Sequence, residues 1–419
     1  MKKFLIVLLS ILLISGAIYG GFTLANIANR DEMFDYIDSF SPVEYESQLI
    51  PEYDTEGVPY FVTDGDFKVM QLTDVHIAGG ILSKAEDKKA INAVAAMISA
   101  EKPDLVIVTG DISYAVPWAG TINNAYAHQM FIRLMERLGV YWTVTFGNHD
   151  SEIYDLLDRA AVAEMYDDES LERCLFTSDD GEVYGECNHE INVRNSKGLI
   201  TKSLIMMDTN SYTEEDPLGI MWDYDNIHED QIEWYRGVIN KNNSYNQALL
   251  DSMAESDRPE NIDDFTTVQS LLFVHIPLME VREAVNAHLG SSEASAMLPE
   301  GMSSLEYLGG KVGEESPYVY CSEREEMMFE TMLELGSTKG MFYGHDHLNN
   351  IVLERDGITL SYGYSIDYFA YSGISEIGSQ RGCTLITCHP DTDFEITHEN
   401  YYQDKYQPLY EKEVVDLTN

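Results

Sequence analysis

Five short polar strings spread over about 270 residues constrain this chain more than any other feature: Asp74-Val75-His76, Gly110-Asp111, Gly147-Asn148-His149-Asp150, His275 and Gly344-His345-Asp346-His347. An apolar run leads into each: FKVMQL, PDLVIVT, VYWTVTF, SLLFV and KGMFY. Short β-branched or aromatic runs bounded by turn residues read as buried strands. Every cluster therefore falls just past the C-terminal end of a strand, where an α/β sheet gathers its ligand-binding loops. A DxH or a GD alone occurs by chance in many chains. Five in this setting point to one metal site.

The donors in these strings are carboxylate, imidazole and one amide, with no thiolate. Such a set suits Mn, Fe or Zn and argues against thiolate-rich zinc or iron–sulfur sites. Two ions about 3.5–4 Å apart clamp a phosphoryl group and generate a nucleophile near neutral pH. One carboxylate must then bridge them, and Asp111, isolated at a strand end, is the natural choice.

The series DxH, GD, GNH(D), H, GHxH resembles the calcineurin-like metallophosphoesterases over about residues 66–365. The strings LTDVH, QIEWY, FVHIPLME and GHDHLNN are similar to the purple-acid-phosphatase-like branch of that superfamily. The resemblance implies that Asp74, His76 and His347 hold a first metal, that Asp111 bridges, and that Asn148, His275 and His345 hold a second. It leaves His149 uncoordinated and facing substrate, with Asp150 orienting its ring. The implied activity is a dinuclear-metal-dependent phosphoric ester hydrolase using two ions drawn from Mn, Fe or Zn. A metal-bound hydroxide attacks phosphorus and His149 serves as general acid. A phosphomonoesterase is the expectation and a phosphodiesterase the alternative.

Purple acid phosphatases proper lack the His of DxH and use a Tyr three residues after the GD aspartate as an iron ligand. This chain has both His76 and Tyr114. His76 is expected to bind metal and Tyr114 to line the site, with ligation by Tyr114 as the open alternative. The competing class of function is a silent, metal-stabilised surface binding module. Such a module would be expected to lose His149 or a bridging ligand, and here no motif position is missing.

Charge narrows the partners. The 26 basic and 72 acidic side chains leave a net charge of −46, which excludes nucleic acid, whose phosphates need a basic surface. A small phosphorylated substrate is expected, and no obligate protein partner is implied. Arg282, Lys311, Arg324, Arg355 and Arg381 are the basic residues nearest the motifs that can contact a phosphate.

The N-terminus carries a separate expectation. Lys2 and Lys3 precede an uncharged, mostly apolar stretch from Phe4 to Ala28, long enough to span a bilayer and longer than a usual signal-peptide core. The lysines orient it N-terminus-in. Residues 1–29 are thus expected to anchor the chain in a membrane with the catalytic domain outside the cytoplasm. Cleavage near Ser15-Gly16-Ala17 or Thr23-Leu24-Ala25, giving a secreted protein, is the alternative. Residues 30–64 then form a juxtamembrane linker, 65–400 the phosphoesterase domain and 401–419 a tail.

Within the domain, helices are expected over 84–101, about 123–138 and 228–240, and a Ser322-x-x-Glu325 capping box opens another. Residues 241–265 read as a polar surface insertion. Segments 350–354, 358–362, 382–388 and 393–398 suggest a second sheet. Periodicity alone gives alternating α/β. The resemblance implies a four-layer α/β/β/α sandwich of two mixed sheets, preceded by the N-terminal hydrophobic helix. Of the remaining histidines, His189 and His228 flank loops that can reach the site. Asp208 and Asn210 follow a strand as turn residues or substrate-facing groups, and the aromatics from Tyr362 to Tyr371 pack the core or stack on substrate. Cys174 and Cys187 are spaced to close a loop, and buried free thiols are the default for the cysteines.

Overall fold

The computed structural model describes residues 2–178, 181–290, 298–299, 301–324, 327–371, 374, 381–390, 393–410 and 412–415; for 2–15, 17–19, 263 and 264 it describes the backbone alone. The first half of the chain runs α1 (Lys2–Asp38), β1 (Glu52–Tyr53), β2 (Pro59–Val62), β3 (Phe67–Leu72), α2 (Lys84–Glu101), β4 (Leu105–Thr109), α3 (Ala125–Leu138), β5 (Trp142–Thr145), α4 (Arg159–Tyr166), β6 (His189–Arg194) and β7 (Ile200–Met206). The second half runs α5 (Glu229–Ser252), α6 (Asp263–Thr266), β8 (Ser270–Phe273), α7 (Met279–Gly290), β9 (Leu305–Gly309), α8 (Met328–Leu335), β10 (Thr338–Tyr343), β11 (Val352–Arg355), β12 (Ile358–Tyr362), β13 (Gly382–Cys388) and β14 (Phe394–Asn400).

These strands form two mixed sheets, ordered β1-β2-β6-β7-β8-β10-β12-β11-β9 and β14-β13-β3-β4-β5. Phe67, Val69, Leu105 and Ile107 meet Phe61, Leu204, Met206, Phe273 and Phe342 between the sheets. Outside the smaller sheet, Ile91, Val94 and Ile98 of α2 and Met130 and Leu134 of α3 cover Met70, Leu72, Val106 and Val108. Outside the larger one, Ile232 and Tyr235 of α5, Val281 of α7 and Met332 of α8 cover Leu272, Val274 and Met341. The layers therefore stack helix, sheet, sheet, helix. Being covered on both faces, β4 and β5 are buried at every residue, which is why their sequences are continuous rather than alternating.

Within each sheet the strands that precede the polar clusters run parallel: β3, β4 and β5 in one, and β8 and β10, flanked by parallel β7 and β12, in the other. Their C-terminal ends converge along one edge of the sandwich. Gln71 Nε2 donates to Thr109 Oγ1 (2.9 Å) and to Tyr343 O (3.2 Å), which ties the two sheets together beneath the loops.

The membrane anchor expected over residues 1–29 is overturned: among the described residues no helix is long and apolar enough to cross a membrane. The apolar stretch opens a continuous helix whose later turns belong to the domain. Asn26 Nδ2 donates to Gly120 O (2.7 Å), Asn29 Nδ2 donates to Gly80 O (3.1 Å), and the Ile81 N–H donates back to Asn26 Oδ1 (2.9 Å). Met33 and Ile37 are fully buried beside α3. The localisation built on that anchor falls with it. Residues 30–64, expected as a linker, supply the end of α1 together with β1 and β2.

Two other expectations change. Helix α5 continues to Ser252, through the stretch read as a surface insertion. Its polar residues face inward: Asn242 Nδ2 donates to Glu190 Oε2 (2.8 Å), and Asn246 bonds both Ile200 N (2.8 Å) and Ile200 O (2.9 Å). The four late strands do not form one sheet, since β11 and β12 extend the larger sheet and β13 and β14 the smaller. The capping residue Glu325 lies outside the described residues, and α8 begins at Met328. All five cysteines are free thiols, so Cys174 and Cys187 form no bridge.

Candidate metal centre

The loops after β3 and β4 run side by side. The Asp74 N–H donates to Gly110 O (3.1 Å), and His76 N–H donates to Asp111 O (3.0 Å). Four donor residues take left-handed backbone angles: Asp74 (φ 50°), His76 (φ 51°), Asp111 (φ 54°) and His345 (φ 76°). Such conformations cost non-glycine residues about 1–3 kcal/mol each and persist where surrounding bonds over-determine them. Here those bonds include His345 N–H to Asp74 Oδ1 (3.1 Å) and His149 N–H to Asp111 Oδ1 (2.8 Å). Close approach explains two motif glycines. A Cβ on Gly147 would lie 2.1 Å from Asp111 Oδ1, and one on Gly344 would lie 1.9 Å from Thr73 Oγ1.

Two donor groups result. Asp74, His76, Asp111 and His347 each offer one atom, all within 4.8 Å of one another, and Asp111, His275 and His345 do the same. Asp111 is common to both, with Oδ2 3.2 Å from His76 Nε2 and 3.2 Å from His275 Nε2. Unpartnered buried atoms mark where cations fit. His275 Nδ1 donates to Thr109 O (2.8 Å), so in the neutral ring Nε2 carries the lone pair, and that atom is buried without a hydrogen-bond partner. Asn148 Nδ2 donates to Tyr212 Oη (2.9 Å), leaving Asn148 Oδ1 buried and unpartnered. Orphaned polar atoms of this kind are costly unless something binds them, and nitrogen and oxygen donors suit a divalent or trivalent ion. The chain therefore carries a dinuclear metal-binding site.

Electrostatics tells the same story. Burial pushes the His275 imidazole down, but Asp111 more than reverses this and lifts it to about 9. Burial favours a protonated Asp111, yet His275 and His149 hold its carboxyl well below the usual range. The pocket thus favours positive charge between its carboxylates, which metal ions supply once imidazole protons leave.

Side chains that steer the donors complete the picture, and several escaped sequence reasoning. Asp150 does not orient His149. Its Oδ2 accepts from the N–H groups of Gly147 (2.8 Å) and Asp111 (2.9 Å), and its Oδ1 from Ile112 (2.8 Å) and Ser113 (3.0 Å). That carboxylate is fully occupied in pinning two ligand loops together. The His149 ring is held instead by Glu152, whose Oε1 lies 2.6 Å from Nδ1. Asp367, beyond β12, sits with its oxygens 3.6 Å from His76 Nδ1 and 3.5 Å from His347 Nδ1. It is itself fixed by the N–H groups of Phe369 (2.7 Å) and Ala370 (2.8 Å). One available signal for Asp367 was its position past a strand end, obscured there by the aromatic residues around it.

The remaining candidates fall outside the donor groups. The Tyr114 ring lies 5.3 Å from that of His76 and 4.9 Å from that of His149, lining the site. Asp208 pairs with Arg159, whose Nη1 also donates to Gly147 O (2.8 Å), so it braces the Asn148 loop. His189 is buried against Thr143 (2.6 Å) and His228 stacks on Tyr184. Of the basic residues near the motifs, Arg282 pairs with Glu323, Arg324 with Asp225 and Asp223, Arg355 with Glu283 and Arg381 with Glu413.

The calcineurin-like phosphoesterase family matches residues 67–271, a span that ends before His275, which the geometry joins to the rest. Among curated relatives, the Arabidopsis thaliana proteins named probable inactive purple acid phosphatase 14 and 29 are each 26% identical. The first aligns over 75% of this chain and 74% of its own length, the second over 74% of both. Among solved structures, a dimetal phosphatase from Danio rerio is 12% identical with a TM-score of 0.46, covering 81% of this chain and 98% of its own. With the family match spanning the first three donor strings and the last two closing the same centre, the chain is similar to the calcineurin-like phosphoesterases and, among them, to purple acid phosphatases.

Proposed function

We propose that this chain hydrolyses phosphoric esters at its dinuclear centre, with phosphomonoesters as substrates. The observation that carries this reading is Asp111 shared between two buried donor groups, with His149 beside them. Two ions held there would neutralise the phosphoryl oxygens and activate water near neutral pH. His149 Nδ1 faces Glu152, so Nε2 is the atom that delivers a proton to the leaving oxygen. Glu152 keeps that ring in one orientation. Asp367 aligns His76 and His347, and Tyr212 turns the oxygen of Asn148 toward the centre.

The word phosphatase in the relatives' names supports the monoester. Those names also carry the word inactive. In this chain six expected donors converge and His149 has a carboxylate partner, which supports a working enzyme over a silent binding module. A phosphodiester is the second reading, favoured by the ion pairs that occupy Arg282, Arg324, Arg355 and Arg381. A monoester's second negative charge then meets the metals without help from these arginines.

The test uses the full chain, stripped by chelation and reloaded with Mn, Fe or Zn. Hydrolysis of p-nitrophenyl phosphate is compared with that of bis-p-nitrophenyl phosphate, beside Asp111→Ala. Metal-dependent turnover that vanishes in the variant, with the monoester faster, is the expected result. A faster diester reverses the substrate assignment. Metal binding without turnover of either ester counts for the silent module.

A further inference from the structure

We infer that the leaving group of the substrate rests on an aromatic face beside His149, so that the chain acts on phosphate esters of alcohols bearing a flat apolar group. This rests on the phosphoester reading and on His149 as the proton donor. Whatever receives that proton must lie next to the His149 ring, and the ring adjoining it there is Tyr114, at 4.9 Å. Tyr114 continues into Trp118 and Phe369, each 6.2 Å away between centroids, within the range where a further ring can stack or meet an edge. Tyr114, Phe369 and Tyr154 back onto Ala78, Val116 and Ala119, which makes a firm floor.

Trp118 is 62% exposed, so its ring presents a face to solvent instead of filling the core. Further apolar side chains lie on the neighbouring backbone: Leu82, whose N–H bonds Ala119 O, and Ile122, whose carbonyl receives the Leu156 N–H. All three of these side chains are exposed. An exposed aromatic face linked through Tyr114 to the proton donor of a buried metal centre suits the apolar part of a ligand.

The test separates binding from turnover on the manganese-loaded full chain. Binding of 2-(2-naphthyl)ethylphosphonate, butylphosphonate and 1,4-butanebisphosphonate is measured by calorimetry. The corresponding phosphates, all alkoxide leaving groups, are assayed for hydrolysis alongside. The naphthyl compound is expected to bind about tenfold tighter than the butyl one, a preference that Trp118→Ala largely erases and Trp118→Phe largely keeps. Equal binding, a preference indifferent to Trp118→Ala, or tighter binding of the bisphosphonate overturns the inference. Hydrolysis with no aromatic preference also overturns it while sparing the hydrolase. A Trp118-dependent preference in binding without hydrolysis supports the aromatic face and counts against the hydrolase.

Discussion

His149 and Asp150 are adjacent in sequence yet serve different structures. Asp150 binds four backbone N–H groups, and Glu152 holds the His149 ring. Replacing Glu152 with Ala should therefore lower kcat by about 10–100-fold, since a positioned proton donor contributes about 10²–10⁴-fold and a loosened one keeps part of that. Metal content, read by elemental analysis, should stay at the level of the parent chain, and Glu152→Gln should recover part of the rate. Loss of metal in Glu152→Ala would show that the residue supports the centre itself. Asp367 makes the opposite prediction. It faces two donor imidazoles, so Asp367→Ala should weaken metal affinity by about 10–100-fold. Titration with manganese after chelation checks this, and an unchanged affinity would rule out the steering role.

At the scale of elements, legibility followed the source of each signal. The strands before the five donor strings were readable because burial on both faces leaves an unbroken apolar run, as in LVIVT and WTVT. Helix α2 was readable from its apolar spacing. The second half of α5 was not, because Asn242 and Asn246 are buried for hydrogen bonding and look in sequence like surface residues. The sheet membership of β11 to β14 was equally hidden, since alternation gives a strand without naming its neighbour. Helix α1 misled for a related reason: its docking contacts are made by Asn26 and Asn29, near the end of an otherwise apolar stretch. Asn246 offers a test of these polar anchors. Its side chain satisfies Ile200 N, Ile200 O and Phe265 O, so Asn246→Ala should cost about 1–3 kcal/mol by stranding buried backbone groups. Urea denaturation reads that as a lower midpoint at constant slope, and an unchanged midpoint would mean water satisfies the groups.

Charge belongs to the whole molecule, and it acts in two separable ways. The excess of 72 acidic over 26 basic side chains in the chain leaves an acidic surface whose charges repel one another and oppose compaction. Salt screens exposed charges over about 10 Å at 0.1 M, so the melting temperature at pH 7 should rise as sodium chloride is added to a low-salt buffer. Inside, Arg159 and Asp208 form a buried pair that salt barely reaches. Burial pushes the Asp208 carboxyl up, but the Arg159 guanidinium outweighs it and holds the group below its ordinary value. A lowered native pKa contributes stability that is fully present above the unfolded value of about 3.9 and is lost as pH falls through the native one. This pair therefore favours the folded state at neutral pH and gives way only in strong acid. Arg159→Met would strand the Asp208 charge and free the carbonyls of Phe146 and Gly147 that the guanidinium now binds, at about 3–5 kcal/mol. Melts of parent and variant at low and high salt distinguish the two effects. Both proteins should gain stability with salt while the gap between them stays constant. A gap that closes at high salt would place this pair in the screened surface field, and the rigidity of the Asn148 loop would then need another source.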